Sequence, residues 1–389
     1  MTITPLRSRN PVVAEDTLAI ATELSRTFAV TAADHDEKAG FPHENFRLLH
    51  QAGLTALTAP VEFGGGGAGL HEAAEVIREI ARGEPSTALI LIMQYINLAT
   101  LPKGRWPEHL VSRVIGDAVS KGALINAFRV EPELGTPIRG GLPATTARRT
   151  ADGWSISGRK IYSTGAAGLT WAIIWARTDE LEPRVGAFLV PADAPGLRIE
   201  KTWNPLGMRA TASDDAILED VQVPLDHAVD IRLPAEWDAR GEGQAAWFGM
   251  LPGALYTGVA EAARDWLVGF LKARVPTNLG QPLATVPRIQ QAVGEIEELI
   301  AVNRRLIASA TRDIDEGRPF SQTEAGLIKV VTTENAIAAV EKALKLTGNH
   351  GISRSNPLER HHRDVLCGRI HSPQEDTVRI GAGKAALGI

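Results

Sequence analysis

Chemistry in this chain would have to come from a short set of side chains. His371 and Ser372 stand together in Arg369-Ile370-His371-Ser372-Pro373-Gln374. An imidazole gives and retakes a proton near pH 7, whereas a serine hydroxyl is far too weak an acid for its alkoxide to replace a carboxylate base. Glu375 and Asp376 follow within a few residues as carboxylates that could supply a base. A second group lies mid-chain, where Phe128, Val130 and Tyr162 offer apolar walls and Thr136, Ser163 and Thr164 offer hydroxyls. Taken alone, these are also what alternating strand residues look like. Trp247, Phe248, Met250 and Leu251 suit an apolar substrate pocket or, more simply, a core. None of the ten histidines has metal-site spacing, and Cys367, the one cysteine, allows no internal disulfide and reads as a buried small residue. No metal is expected. His361-His362, flanked by Arg360, Arg363 and Asp364, reads as a solvated structural turn.

The elements that must position these groups follow from periodicity. From about Glu15 to Ser120 apolar residues recur at helical spacing, as in Ile20, Leu24 and Phe28, with a Gly64–Gly67 run where the backbone must turn. Between about Gly122 and Val223 the period becomes two, in short runs bounded by turns such as Ala151-Asp152-Gly153. After about Pro234 helical spacing returns, at Ile289, Val293, Ile296, Ile300 and Ile307, then Leu327, Val331, Ile337, Val340 and Leu344. The expected class is α+β, with an N-terminal helical domain (1–121), a middle β-barrel or sandwich domain (122–232) and a C-terminal four-helix bundle (233–389). Strands at this density without intervening helices, and no G-x-G-x-x-G after a strand, argue against a nicotinamide-binding Rossmann domain.

Composition sets the outer limits. The chain has 389 residues, 44% hydrophobic and 22% charged, enough for a large core in two or three domains. A net charge of -5 and a pI near 6.1 give no clustered cation for nucleic acid or anionic membrane. With no run of about 18 apolar residues and no signal-peptide order, the expected location is cytoplasmic.

Several segments, in order, resemble signatures of the acyl-CoA dehydrogenase superfamily. Ala59-Pro60-Val61-Glu62-Phe63-Gly64-Gly65 is similar to P-x-E-x-G-G, and Val130-Glu131-Pro132-Glu133-Leu134-Gly135-Thr136 to T-E-P-x-x-G-S. Gly158 to Gly165 resembles G-x-K-x-W-I-T-N, and Leu206-Gly207-Met208-Arg209 with Glu219 to Pro224 resembles L-G-M-R and F-E-D-V-x-V-P. Pro357 to Asp364 resembles P-x-E-R-x-x-R-D. The resemblance implies that fold, a bound flavin, and a homodimer or homotetramer sharing it. Flavin contacts would then come from Phe128, Val130, Gly135, Thr136, Tyr162, Ser163, Thr164 and Gln374. Leu279 to Ala284 resembles the F-G-x-P-I-A segment beside an FAD adenine, but the preceding arginine is displaced to Arg274. Lys345 stands where the family often places a Gln toward a neighbouring subunit's pyrophosphate. FAD is the expected cofactor, with FMN as alternative.

One departure bears on function. Counted from Arg363-Asp364, the dehydrogenase's catalytic Glu falls on Ser372, and Gln244 to Ala260, where other members carry the base, holds no carboxylate. His371-Ser372-Pro373 is similar instead to the His-Asp-Pro region of the superfamily's flavin-dependent monooxygenases, including dibenzothiophene monooxygenase and the indole- and N-hydroxylating enzymes. That branch accepts reduced flavin from a separate reductase, forms a C4a-hydroperoxyflavin with O2 and hydroxylates a small aromatic, heteroaromatic or amine substrate. By this reading His371 is the proton donor, assisted by Ser372 and Thr164. An acyl-CoA dehydrogenase with a relocated base is the alternative, and a non-enzymatic flavoprotein a third.

Overall fold

The structure, a computed structural model, describes residues 12–135, 141–237 and 242–389. The first part is helical: α1 (Val12–Lys38), α2 (His43–Gln51), α3 (Leu70–Gly83), α4 (Pro85–Thr100) and α5 (Glu108–Lys121). On α3 the stripe Leu70, Ala73, Ala74, Ile77, Ile80 and Ala81 is buried, the spacing of a helix with one core-facing side. Helix α4 begins with Pro85, whose missing N–H costs nothing in the first turn, and is buried over most of its circumference.

Among the described residues eight strands follow: β1 (Ile125–Phe128), β2 (Thr146–Arg149), β3 (Gly153–Lys160), β4 (Trp171–Thr178), β5 (Val185–Pro191), β6 (Leu197–Glu200), β7 (Asp215–Pro224) and β8 (Ala228–Arg232). They form one sheet ordered β6-β7-β3-β2-β4-β5-β8, with β1 paired in parallel to β4. Strand β4 is buried on both faces because two cores claim alternate residues. Ala172, Ile174 and Ala176 join the interior of the β domain, while Trp171 and Ile173 join Leu110, Val114 and Ile115 of α5.

The remainder is α6 (Glu242–Ala273), α7 (Pro287–Asp315), α8 (Gln322–Thr347), α9 (Leu358–Leu366) and α10 (Glu375–Leu387). One continuous core runs from Leu24 and Phe28 of α1 through α3 and α4 to Met250, Tyr256 and Val259 of α6 and Ile337 of α8. The N-terminal helices and the C-terminal bundle therefore share a single interior. Helix α8 departs from its expected register: Leu327 and Val331 are 39% and 41% exposed, whereas Lys329, Thr332 and Thr333 are buried. The small residues Ala325, Gly326, Ala336 and Ala339 face the core, and their size rather than large apolar side chains lets α8 pack closely on its neighbours.

Candidate flavin site

Two mid-chain segments are tied to each other by backbone and charge. The Ile161 N–H donates to the Val130 carbonyl at 3.0 Å, and Glu131 and Gly135 exchange hydrogen bonds of 3.3 and 2.9 Å across a tight turn. Glu131 is buried and meets the fully buried Lys160 ammonium at 2.5 Å, and the Ala144 and Thr145 N–H groups donate to its other lone pairs at 2.6 and 3.1 Å. Burial works against the Glu131 carboxylate, but Lys160 and these donors outweigh it and hold its pKa below the usual carboxylate range. Lys160 also donates to the Trp175 carbonyl. The Glu of one segment and the Lys of the other thus form a buried lock that fixes the place of Val130 relative to Tyr162.

What this lock presents is a ledge. Tyr162 is 61% exposed, has a left-handed φ of 56°, and meets Trp203 edge-on at 6.1 Å. A bulky residue held in that conformation is strained, and such strain gathers at ligand sites. Ser163 Oγ is out of solvent contact and has no hydrogen-bond partner among the described residues. Thr164 Oγ1 accepts from Ser213 Oγ at 3.0 Å, and its carbonyl accepts from Asn126 Nδ2 at 2.9 Å. An exposed aromatic on strained backbone, an orphaned hydroxyl and a hydrogen-bonded threonine fit the edge and face of a flavin ring. Phe128 lies elsewhere, in the β-domain core with Trp154 and Phe188, because its strand register turns it inward. Thr136 falls outside the described residues.

His371 lies in the connection between α9 and α10. Its Nε2 is 2.7 Å from Tyr256 Oη, with the two rings stacked at 26° and 5.8 Å between centroids. Burial pushes the Tyr256 phenol well above its ordinary pKa, so it stays protonated and donates to Nε2. Burial, with the Lys329 ammonium nearby, pushes His371 down to about 4. This corrects the expected titration near pH 7: His371 is a neutral imidazole there and acts as a hydrogen-bonding group. Lys329, itself buried, donates to the Gly368 and His371 carbonyls at 2.8 and 2.9 Å and so pins the turn that carries the imidazole. Burial lowers Lys329 to about 8. Ser372 is partly buried in the same turn, and Gln374 is the N-cap residue of α10.

Arg363 and Asp364 of α9 join these two groups. Asp364 is buried and accepts from the Met208 N–H at 2.6 Å, and Arg363 grips Asp36 at 2.6 and 2.9 Å. Gly207 is required here, since a Cβ would sit 2.2 Å from the Arg363 carbonyl oxygen. Burial pushes the Asp364 carboxyl up to about 7, against the Met208 N–H that favours its charged form. From Met208 the hydrogen bonds run through Thr211 and Ser213 to Thr164, and from Asp364 one turn leads to Gly368, which packs on Tyr256. Thr164 and His371 are thereby positioned by one connected network.

Other expected residues sit apart. Arg274, just past the end of α6, and Lys345, in the last turn of α8, are exposed, and Phe270 of α6 meets His350 just beyond α8. Arg274 is 18 residues beyond Tyr256 along the chain, roughly 27 Å at the helical rise. Met250 and Leu251 are fully buried in the helical core, and Trp247 and Phe248 pack against it. Cys367 is partly buried, with its thiol pushed up to about 12 by burial. Tyr256 and Lys329 carry no signal in the sequence: Tyr256 stands in an apolar stretch without carboxylates, and Lys329 sits among residues of one helical face whose burial periodicity does not resolve.

His361 is likewise a correction. It is 4% exposed, its Nδ1 has no partner among the described residues, and burial beside Arg360 pushes it down to about 3. A depressed histidine leaves the unfolded chain binding more protons below pH about 6.5, so stability falls with acid from there toward pH 3. Comparing wild type with His361→Gln by urea unfolding cancels the other titrating groups. From pH 7 to 5 the wild type is expected to lose about 2 kcal/mol more than the variant, from about 1.5 units at 1.36 kcal/mol each. Parallel curves would mean that His361 is solvated.

Residues 19–102, 130–221 and 250–375 match the acyl-CoA dehydrogenase N-terminal, middle and C-terminal domains. The putative acyl-CoA dehydrogenase YdbM of Bacillus subtilis is 34% identical, over 90% of this chain and 91% of that one. KijD3, solved with dTDP, is 29% identical with a TM-score of 0.81 and 98% coverage of both chains. It has also been solved with FMN and dTDP-3-amino-2,3,6-trideoxy-4-keto-3-methyl-D-glucose. TdsC from Paenibacillus, solved with FMN and indole, is 22% identical over 96% of this chain and 97% of that one, with a TM-score of 0.84, a likeness of fold. Among the described residues no helix is long and apolar enough to cross a membrane, and no group of His, Cys, Asp or Glu is arranged to hold a metal. Three domain matches in order, and identity to YdbM along nine-tenths of the sequence, make this chain a member of the acyl-CoA dehydrogenase superfamily of flavoproteins.

Proposed function

We propose that this protein is a flavin-dependent monooxygenase that uses reduced flavin from a separate reductase, with O2, to hydroxylate a small aromatic, heteroaromatic or amine substrate. The observation that carries the reading is the neutral His371–Tyr256 pair beside Ser372, where the family's base carboxylate is expected. The nearby carboxylates are committed elsewhere. Glu375 pairs with Arg379, Asp376 is exposed and accepts from its neighbour Thr377, and Glu261, just beyond the Gln244–Ala260 stretch, is buried between Arg78 at 2.8 Å and Arg304 at 2.6 Å. Removing an α-proton from a thioester needs a free base within reach, which none of these supplies.

When bound, the reduced flavin supplies the two electrons that activate O2. The chain's own part is to hold and shield. Tyr162, Val130 and Thr164 would seat the ring, and the Glu131–Lys160 pair fixes their spacing. With the Tyr256 phenol donating to Nε2, His371 keeps its Nδ1–H to offer to a bound oxygen, and Ser372 stands beside it. Neutral donors in a dry pocket stabilise such an oxygen without a charged group to be neutralised. FAD is the proposed form, its tail reaching Arg274 and Lys345 across a subunit contact in a homodimer or homotetramer. FMN, the flavin solved with KijD3 and TdsC, would need neither residue.

The second reading, an acyl-CoA dehydrogenase, is favoured by the likeness to YdbM. One experiment separates them. The flavin-loaded protein is reduced without oxygen, mixed with air-saturated buffer and followed through reoxidation. A transient band at roughly 370–390 nm ahead of oxidised flavin is expected. Direct reoxidation, together with anaerobic bleaching of the oxidised flavin by butyryl-CoA, would overturn the oxygenase.

A further inference from the structure

A cavity of about 180 Å³ lies where the outer face of the sheet meets α4 and the start of α6. The pairings place Ala127 of β1 beside Ile173 of β4 and, two residues further along the same face of β4, Trp175 beside Ala187 of β5 and Ala187 beside Asp230 of β8, so two adjacent cross-strand rows form its floor. Trp106, Trp175 and Trp237 line it, the last two edge to face at 4.7 Å. Domain junctions with apolar, aromatic walls and few polar groups are where small molecules bind.

Its charges are unequal. Asp230 is taken, holding Arg232 through two bonds of 2.8 and 2.7 Å. Arg129 is not. Its guanidinium lies over the Trp175 ring at 4.4 Å, its Nε is out of solvent with no partner, and no carboxylate among the described residues pairs with it. Burial alone lowers its pKa, with no neighbouring charge to compensate. Arg129 is partly buried, and a guanidinium whose Nε is shielded from water without an acceptor is costly, so an anion bound bidentately would satisfy it. Arg129 is also the residue between Phe128 and Val130, one step along the chain from the flavin ledge.

We infer that this cavity is a substrate subsite for a small aromatic carboxylate, its ring or rings held among Trp106, Trp175 and Trp237 and its carboxylate bound bidentately by Arg129. The inference rests on the oxygenase reading for what is done to the bound molecule. A single guanidinium matches one carboxylate, whereas a diphosphate or a CoA phosphate would ask for further cations, and the other arginine nearby is already neutralised by Asp230. The volume suits one or two rings, below the roughly 300–1,000 Å³ of larger ligand pockets.

The test is calorimetric titration of the oxidised, flavin-loaded protein with indole-2-carboxylate and with its neutral isostere indole-2-carboxamide. No reductant is present, so binding is read without turnover and a failure of the oxygen chemistry does not touch it. The carboxylate is expected to bind more tightly than the carboxamide, and to weaken about 10- to 100-fold in Arg129→Gln, while the carboxamide binds both proteins alike. Equal carboxamide binding also shows that the variant keeps its pocket. No preference for the carboxylate, or a preference that survives Arg129→Gln, would overturn the subsite. So would dTDP or butyryl-CoA binding in an Arg129-dependent way and displacing the carboxylate.

Discussion

Lys160→Met is expected to lower the unfolding free energy by about 3–5 kcal/mol and to release the flavin, read by urea unfolding and by loss of flavin absorbance after gel filtration. The methionine fills the space but leaves the Glu131 carboxylate buried beside only the Ala144 and Thr145 N–H groups. A charge left unpaired in the interior costs far more than the pair itself contributes. The same reasoning gives the control. In the double variant with Glu131→Gln no unpaired carboxylate remains, so its loss should be smaller than the sum of the two single losses. Flavin would still be weakened, because the lock between Val130 and Tyr162 is gone. A cost for Lys160→Met below about 1 kcal/mol, the range of a surface ion pair, would contradict its burial.

His371→Ala is expected to slow substrate oxygenation by about 10²–10³-fold, with flavin still reoxidised and hydrogen peroxide released instead. Tyr256→Phe removes only the phenol's hydrogen bond and should cost about tenfold, since the ring itself still packs on Gly368. The pH profile separates a chemical role from a packing role. With its pKa near 4, His371 stays neutral across the physiological range, so its contribution should be flat above about pH 5 and fall as acid protonates it. Lys329→Met removes a cause of that depression, so the acid limb should move upward in pH. Turnover unaffected by His371→Ala, with butyryl-CoA still reducing the flavin, would return the protein to the dehydrogenases.

The sequence by itself determined the architecture, because helix and strand periodicity are local and the signature segments lie in order along the chain. The change of period near Gly122 and again past Pro234 anticipated the sheet from Ile125 to Arg232 and the helices on either side. The replacement of a carboxylate by Ser372, and the loneliness of Cys367, were also plain. Tertiary structure decided what each polar residue does. Glu131 and Lys160 stand in two separate motifs, and only the pairing of the segments makes them a buried lock. Tyr256 and His371 are 115 residues apart, and nothing in either neighbourhood names the other. His361 and His371 share a residue type and lie ten residues apart, yet neither titrates as a free histidine does, because desolvation is a property of what packs around a side chain. The same holds for α8, where small residues set a close approach that buries Lys329 and leaves Leu327 and Val331 outside. Spacing along one chain fixes which residues share a face; which face is covered, and whether a charge meets its partner there, depends on the docking of elements distant in sequence.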